Sequence, residues 1–142
     1  MGLNSRLDEA QAAILSTRLN SLERINARRQ EIARKYFAKI DNPRIELLAL
    51  PGSSQNHVYH LFVIRSAERD RLAEFLNERG IQTLIHYPIP AHRQGCCRHV
   101  RTDPHCLANA ELHGGQCLSL PCHPQLREDE IESLITAINQ FE

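Results

Sequence analysis

HVYHLFVIR, residues 57–65, is the stretch on which the fold class turns. Val58, Tyr59, Phe62, Val63 and Ile64 are β-branched or aromatic, side chains that suit a pleated and covered surface, so the run reads as a buried central strand. Upstream, PGSSQN at 51–56 is a turn or loop, and Ile45 to Leu50 can form a short strand before it. Downstream, Ser66 is placed to cap a helix with Leu72, Phe75 and Leu76 on its inward face, and Gly80 is placed to end it. IQTLIHYPIPAH at 81–92 begins as an alternating strand, through Tyr87, and ends in a loop stiffened by Pro88 and Pro90. Residues 93–104 are irregular. Leu107 to Leu112 suggests a short helix stopped by Gly114 and Gly115, Gln116 to Leu120 a further strand, and Glu128 to Phe141 a last amphipathic helix. Ile131, Leu134, Ile135 and Ile138 form its inward face. Helices and strands in this order predict a small sheet covered by helices, an α/β or α+β domain.

The N-terminal third differs in kind. Asn4 or Ser5 can cap a helix, with Asp8 in capping-box position and Glu9 near the positive end of the dipole. Leu7, Ile14, Leu15, Leu19, Leu22, Ile25, Ile32, Tyr36 and Phe37 then recur at helical spacing, with no proline before Pro43. The spacing predicts one helix to about Ile40, ended by Asp41, Asn42 and Pro43 and on the order of 50 Å long at ~1.5 Å per residue. A helix that outreaches its own small domain spans two bodies or packs on a partner, so part of its apolar stripe should cover something outside the domain.

Composition narrows the function classes. The 142 residues suffice for one domain with a real core. Seventeen basic and 17 acidic side chains cancel, which argues against nucleic acid or an anionic membrane as partner. No apolar run is long enough to span a bilayer, and MGLNSRLDEA lacks the apolar core of a signal peptide, so a cytoplasmic location is expected. The five cysteines are odd in number and bunched in the last third, unlike a secreted disulfide framework. Arginine is plentiful, but the only lysines are Lys35 and Lys39.

Three groups of residues could carry chemistry. His92, Cys96, Cys97, His99, His105, Cys106, His113, Cys117, Cys122 and His123 concentrate potential zinc ligands, but there is no C-x-x-C and the spacings match tetrahedral pairs loosely. The structural alternative is incidental thiols, with Cys117 a small core residue. Asn4 and Arg6 lie where a helix N-terminus offers free N–H groups to a phosphate or carboxylate, although capping is the commoner use of such an Asn. His86, Tyr87 and His92 sit on the stiff arm after a strand, where a sheet supplies precision and a loop supplies reach. As plain loop residues they would only shape the turn. No Ser/His/Asp or Cys/His order, glycine-rich phosphate loop or isolated acidic pair stands out.

Five linked segments go further. GLNSRLDEAQAAIL at 2–15, NARRQEIARKY at 26–36, VYHLFVIR at 58–65, ERGIQTLIHYPIPAHRQ at 78–94 and CLSLPCHPQLREDEIESLITAI at 117–138 together resemble the C-terminal part of the DegT/DnrJ/EryC1/StrS family. These are pyridoxal-phosphate-dependent aminotransferases acting on keto sugars attached to nucleotides. The resemblance implies the aspartate-aminotransferase fold type and a homodimer with active sites at the subunit interface. Residues 1–41 would then be the interdomain and dimer-contact helix and 42–142 the C-terminal small α/β domain. It implies that Asn4 reaches the cofactor phosphate across the dimer, that Arg6 is directed at the substrate of the neighbouring site, and that His86 lies near the substrate. Tyr87 and His92 share the motif, which implies proximity and no more.

The departures from the pattern are equally informative. The family's Schiff-base lysine, the acidic partner of the pyridinium nitrogen and the stacking aromatic ring all lie upstream of the glycine matching Gly2. The expectation is therefore a chain without the large cofactor domain, with no catalytic residue of its own, inactive alone, and homodimeric or complemented by an N-terminal domain. GCCRHVRTDPHC at 95–106 also replaces a segment that in the family usually carries an aromatic residue and fewer cysteines. The IHYPIP wording leans toward the branch that makes 3-amino sugars. Two other classes compete: a zinc-binding module built on residues 92–123, and a non-enzymatic scaffold whose helix stripe docks on a partner.

Overall fold

Three short strands form an antiparallel sheet in the order β1-β2-β3, with β1 at Glu46–Leu47, β2 at Phe62–Arg65 and β3 at Cys117–Leu120. The computed structural model describes residues 7–48, 57–101 and 107–142; Asn4, Ser5, Arg6, the 51–56 turn, His105 and Cys106 lie outside them. β2 is the central strand, as its composition predicts. Phe62 and Ile64 are buried while Val63 and Arg65 are half-buried, the alternation of a pleated strand with one face on the core.

The strand is shorter than the 57–65 run. Tyr59 takes φ +49, the left-handed region in which a residue with a bulky side chain is strained, and the extended chain cannot begin before it. Packing holds the residue there: the Tyr59 ring lies 4.3 Å from the His57 ring and 6.2 Å from both Phe37 and Phe62. The carbonyls of Tyr59 and His60 accept from the Arg29 guanidinium at 3.2 and 3.0 Å instead of pairing with a strand.

The long N-terminal helix is two helices, α1 (Glu9–Leu19) and α2 (Leu22–Lys39), separated by a turn at Asn20 and Ser21. Asn and Ser compete for backbone hydrogen bonds and so favour such a break. Asp8 is the N-cap of α1, its carboxylate accepting the Gln11 N–H at 2.8 Å, rather than the third residue of an earlier box. α1 buries no residue; Leu7, Ile14, Leu15, Leu19 and Leu22 are all exposed. α2 buries Ile32, Ala33 and Tyr36.

α3 (Arg69–Asn77) turns Leu72 and Leu76 inward. Gly80, at φ +75, closes it: its N–H donates to Asn77 O at 2.9 Å and the Ile81 N–H to Leu76 O at 3.0 Å, the paired bonds of a left-handed helix stop. The strand expected at 81–87 is reduced to one antiparallel bridge, Leu84 to Ser119, on the free edge of β3. α4 (Ala108–Gln116) runs through the two glycines expected to stop it. A Cβ on Gly114 would stand 3.2 Å from Pro88 O and from Pro90 Cγ and Cδ, so this glycine serves a close approach between helix and loop. α5 (Glu128–Asn139) buries the four residues expected, and Ala137 with them.

α2, α3 and α5 supply the helical side of the core, packing on Ile64, Leu118 and Leu120 of the sheet. The Tyr36 and Phe62 rings meet edge to face, centroids 4.9 Å apart. Burial raises the Tyr36 phenol well above its ordinary value, so it stays neutral and donates to Pro121 O at 2.7 Å. Lys35 and Lys39 clamp α2 to α5 through Glu128 and Glu132, each at 2.5 Å. Asn42, which only terminates a helix in the sequence pattern, is buried and donates to Ile138 O and Phe141 O at 2.7 and 2.9 Å, satisfying carbonyls at the end of α5. The antiparallel sheet with its helices makes this an α+β arrangement within the α/β expectation.

Candidate functional site

The site is built on the free edge of β3. Leu84 exchanges both backbone hydrogen bonds with Ser119, at 3.2 and 2.7 Å, which fixes the chain two residues before His86. Side chains on an extended segment recur on the same face every second residue. The His86 imidazole accordingly lies over Ser119, its Nδ1 2.9 Å from the serine Oγ. Ser119 is buried, so this hydrogen bond is shielded from competing water. The His86–Tyr87 peptide bond is cis, and the two rings meet edge to face at 5.5 Å.

His86 borders two concavities. One, of about 770 Å³, is lined among others by Arg29, His60, Gln82, Ser119 and His123. The other, of about 570 Å³, also takes in Tyr87, Ile89, His92, Gln94 and His113. The three residues of the stiff arm, His86, Tyr87 and His92, are therefore brought to one hollow. Its wall is anchored: His92 Nε2 and Arg93 Nε meet the same Glu111 oxygen, at 2.7 and 2.5 Å, on α4. Arg93 foremost, with His92, holds the Glu111 carboxyl below the usual range.

Arg29 was not singled out from the sequence, and nothing in its helical position distinguishes it from the neighbouring arginines. Its guanidinium gathers the carbonyls of Tyr59, His60 and Cys122, tying the turn before β2 to the segment after β3 and shaping the larger concavity. The described members of the His/Cys concentration do not converge on one centre: His92 and His113 line the smaller hollow, His123 the larger one, and Cys96 and Cys97 sit on the turn after Gln94. Cys117 and Cys122 are core residues, and burial pushes the Cys122 thiol up to about 11. Among the described residues no group of three or more His, Cys, Asp or Glu is gathered for a metal ion, and no helix is long and apolar enough to cross a membrane.

Both lysines, Lys35 and Lys39, are held in ion pairs with acidic side chains of α2 and α5 rather than placed in the hollow. Lys35 contacts Glu128 at 2.5 Å and Glu31 at 3.2 Å, and Glu128 foremost holds its ammonium above the ordinary range. Lys39 is engaged with Glu132. What the described residues offer at this sheet edge is a polar, imidazole-bearing hollow.

The model of the DegT/DnrJ/EryC1/StrS aminotransferase family matches residues 1–139. The chain belongs to that family. It is similar to the dTDP-3-amino-3,6-dideoxy-alpha-D-galactopyranose transaminase of Aneurinibacillus thermoaerophilus, 42% identical over 140 residues, which are 99% of this chain and 38% of the relative. The dTDP-3-amino-3,4,6-trideoxy-alpha-D-glucose transaminase of Streptomyces venezuelae is 36% identical over 140 residues, 99% of this chain and 37% of the relative. Among solved structures, S. venezuelae DesV in complex with a ketimine intermediate superposes with a TM-score of 0.88 at 38% identity, over 98% of this chain and 38% of that one. The family is pyridoxal-phosphate-dependent, and NtdA of Bacillus subtilis, solved with bound PMP, superposes with a TM-score of 0.80 at 31% identity, over 96% of this chain and 33% of that one. The aminotransferase-family chain thus spans less than two fifths of the length of these relatives.

Proposed function

We propose that these 142 residues are the C-terminal portion of a cytoplasmic pyridoxal-phosphate enzyme that transfers an amino group to a nucleotide-linked keto-deoxy sugar, in the making of cell-surface polysaccharides or glycosides. The observation that carries the reading is a match spanning nearly the whole chain but only 38% of a dTDP-3-amino sugar transaminase. Residues 42–142 are read as the small domain of the aspartate-aminotransferase fold type, and residues 1–41 as the connection to a large domain and to a second subunit. The exposed leucines and Ile14 of α1 support that division, because such a face is covered in a working assembly.

In that assembly Asn4 reaches the cofactor phosphate of the neighbouring site and Arg6 its substrate. His86 contacts the sugar. Ser119 on Nδ1 leaves Nε2 as the ring atom open to a sugar hydroxyl, and the sheet edge holds the ring in place. No step of the cofactor's chemistry passes through the described residues. On this reading the 142 residues acting alone attach no pyridoxal phosphate at Lys35 or Lys39 and transaminate nothing.

Two experiments test this. Residues 1–142 are grafted in place of the matching segment of the A. thermoaerophilus transaminase: turnover of its dTDP-linked 3-amino sugar is expected, with KM raised by His86→Asn. A chimera that folds and loads pyridoxal phosphate yet turns over nothing would refute the substrate assignment. Separately, the 142-residue chain is incubated with pyridoxal phosphate, reduced with borohydride and mapped by mass. Stoichiometric labelling of Lys35, lost in Lys35→Gln, would overturn the inactive-alone reading.

A further inference from the structure

Four of the five cysteines lie among the described residues, all unpaired, and they are of two kinds. Cys117 and Cys122 are sealed in the core. Cys96 and Cys97 are neighbours on a single 3₁₀ turn, Gly95–Cys97; Cys96 is exposed, Cys97 is half-buried, and their sulfurs are 3.8 Å apart. Successive side chains on such a turn normally diverge by about a third of a revolution, so two sulfurs in contact mark both thiols turned to one side. The turn is tied at each end: the Cys97 N–H donates to Gln94 O at 2.9 Å and the Val100 N–H to Cys97 O at 3.0 Å. The pair is organised before any ligand arrives, which lowers the ordering cost of binding.

The separation itself is informative. A disulfide needs its sulfurs ~2 Å apart, about half what is found here. Two thiolates sharing one tetrahedral ion with bonds of ~2.3 Å stand roughly 3.8 Å from each other, so this is the span of sulfurs bridged by a third atom. Zinc would ask for two further ligands, and no group of three or more such side chains is gathered among the described residues. The fitting guest is a thiophilic centre satisfied by two sulfurs.

We propose that Cys96 and Cys97 form a chelating dithiol site for trivalent organoarsenic. The arsenic–oxygen double bond of an organoarsenous oxide is replaced by two arsenic–sulfur bonds, and both thiol protons leave on the oxygen as water. No electrons are exchanged. Protonated thiols suffice for this, in keeping with Cys97, whose thiol is held above its ordinary value chiefly by its hydrogen bond with Cys96. The turn follows directly on Gln94, which lines the hollow shared by His86, Tyr87 and His92.

The test is phenylarsine oxide added to the full chain and followed by intact mass. One adduct per chain is expected, formed with loss of water, released by dithiothreitol and resistant to an equal excess of 2-mercaptoethanol. Cys96→Ser and Cys97→Ser should each weaken binding roughly a hundredfold, since one sulfur loses the effective concentration of its neighbour. Cys106→Ser and Cys117→Ser should leave it unchanged. An adduct that persists in the Cys96→Ser/Cys97→Ser double variant, that 2-mercaptoethanol strips, or that Cys106→Ser removes would overturn the proposal. Cys96 is exposed and Cys97 half-buried on a short turn away from the core, and circular dichroism checks that the variants remain folded.

Discussion

Two adjacent glycines in the last turns of α4 should respond to the same substitution with opposite signs. Replacing Gly by Ala in a helix gains about 0.5–1 kcal/mol, from backbone entropy removed in the unfolded chain. A methyl at Gly115 meets nothing within 4 Å, so Gly115→Ala should be stabilising by that amount. At Gly114 the same methyl stands 3.2 Å from three atoms, Pro88 O, Pro90 Cγ and Pro90 Cδ. One is backbone and two belong to a ring, in a loop that Glu111 pins through His92 and Arg93, so none can swing aside as a flexible side chain would. Overpacking of this sort costs about 1–3 kcal/mol, which cancels or exceeds the helix gain. Gly114→Ala should therefore be neutral to about 2 kcal/mol destabilising, and the two variants should differ by about 1–3 kcal/mol. Urea unfolding with unchanged m-values measures the difference directly. Equal stabilisation by both variants would show that the proline loop yields, and that α4 does not set the position of the arm carrying His86.

Other perturbations test the frame around the site. Tyr36→Phe removes the donor to Pro121 O and should cost about 1–2 kcal/mol in urea unfolding; no loss would mean that water replaces the phenol. Ile131→Ala, in the core, should cost about 2–5 kcal/mol, whereas Leu15→Ser on α1 should stay within about 0.5 kcal/mol in the isolated chain. The α2–α5 clamp should be pH-sensitive at both ends. Lys35 foremost holds the Glu128 carboxyl below its ordinary 4.5, so this contribution is complete above that value and fades as pH falls through the depressed one. Lys35 is held above its ordinary 10.5, so its share is complete below that value and fades as pH rises through the elevated one. Glu128→Gln or high salt should flatten the acid-side fall in the urea midpoint, and an unchanged profile would discount the clamp.

Where local pattern and tertiary packing agree, the chain could be read directly. α5 buries the face its periodicity marks, and β2 is central as its aromatic and branched residues require. The 81–87 segment has alternation enough for a strand, yet it meets the free edge of β3 in a single bridge, Leu84 to Ser119. Residues 57–61 are as β-prone as 62–65, yet Arg29, about 30 positions away, takes the carbonyls of Tyr59 and His60. Gly114 and Gly115 carry the local signal of a helix stop, and only the proximity of Pro88 and Pro90 reveals why Gly114 is small. His86 is singled out in the sequence by its place between a β-prone run and two prolines, and the structure sets its ring against Ser119. Ser119 is not singled out, because its hydroxyl gains meaning from a residue 33 positions earlier.

The bare face of α1 has a consequence for dynamics. At 11 residues it is shorter than the ~12–15 that an isolated helix needs for even marginal stability in water, and it buries nothing that would link it to the core. Its amide protons should trade with deuterium through local fraying, while those of α5 wait for the whole domain to open. Deuterium uptake along α1 is therefore a gauge of whatever docks there, and it is blind to the stability of the sheet.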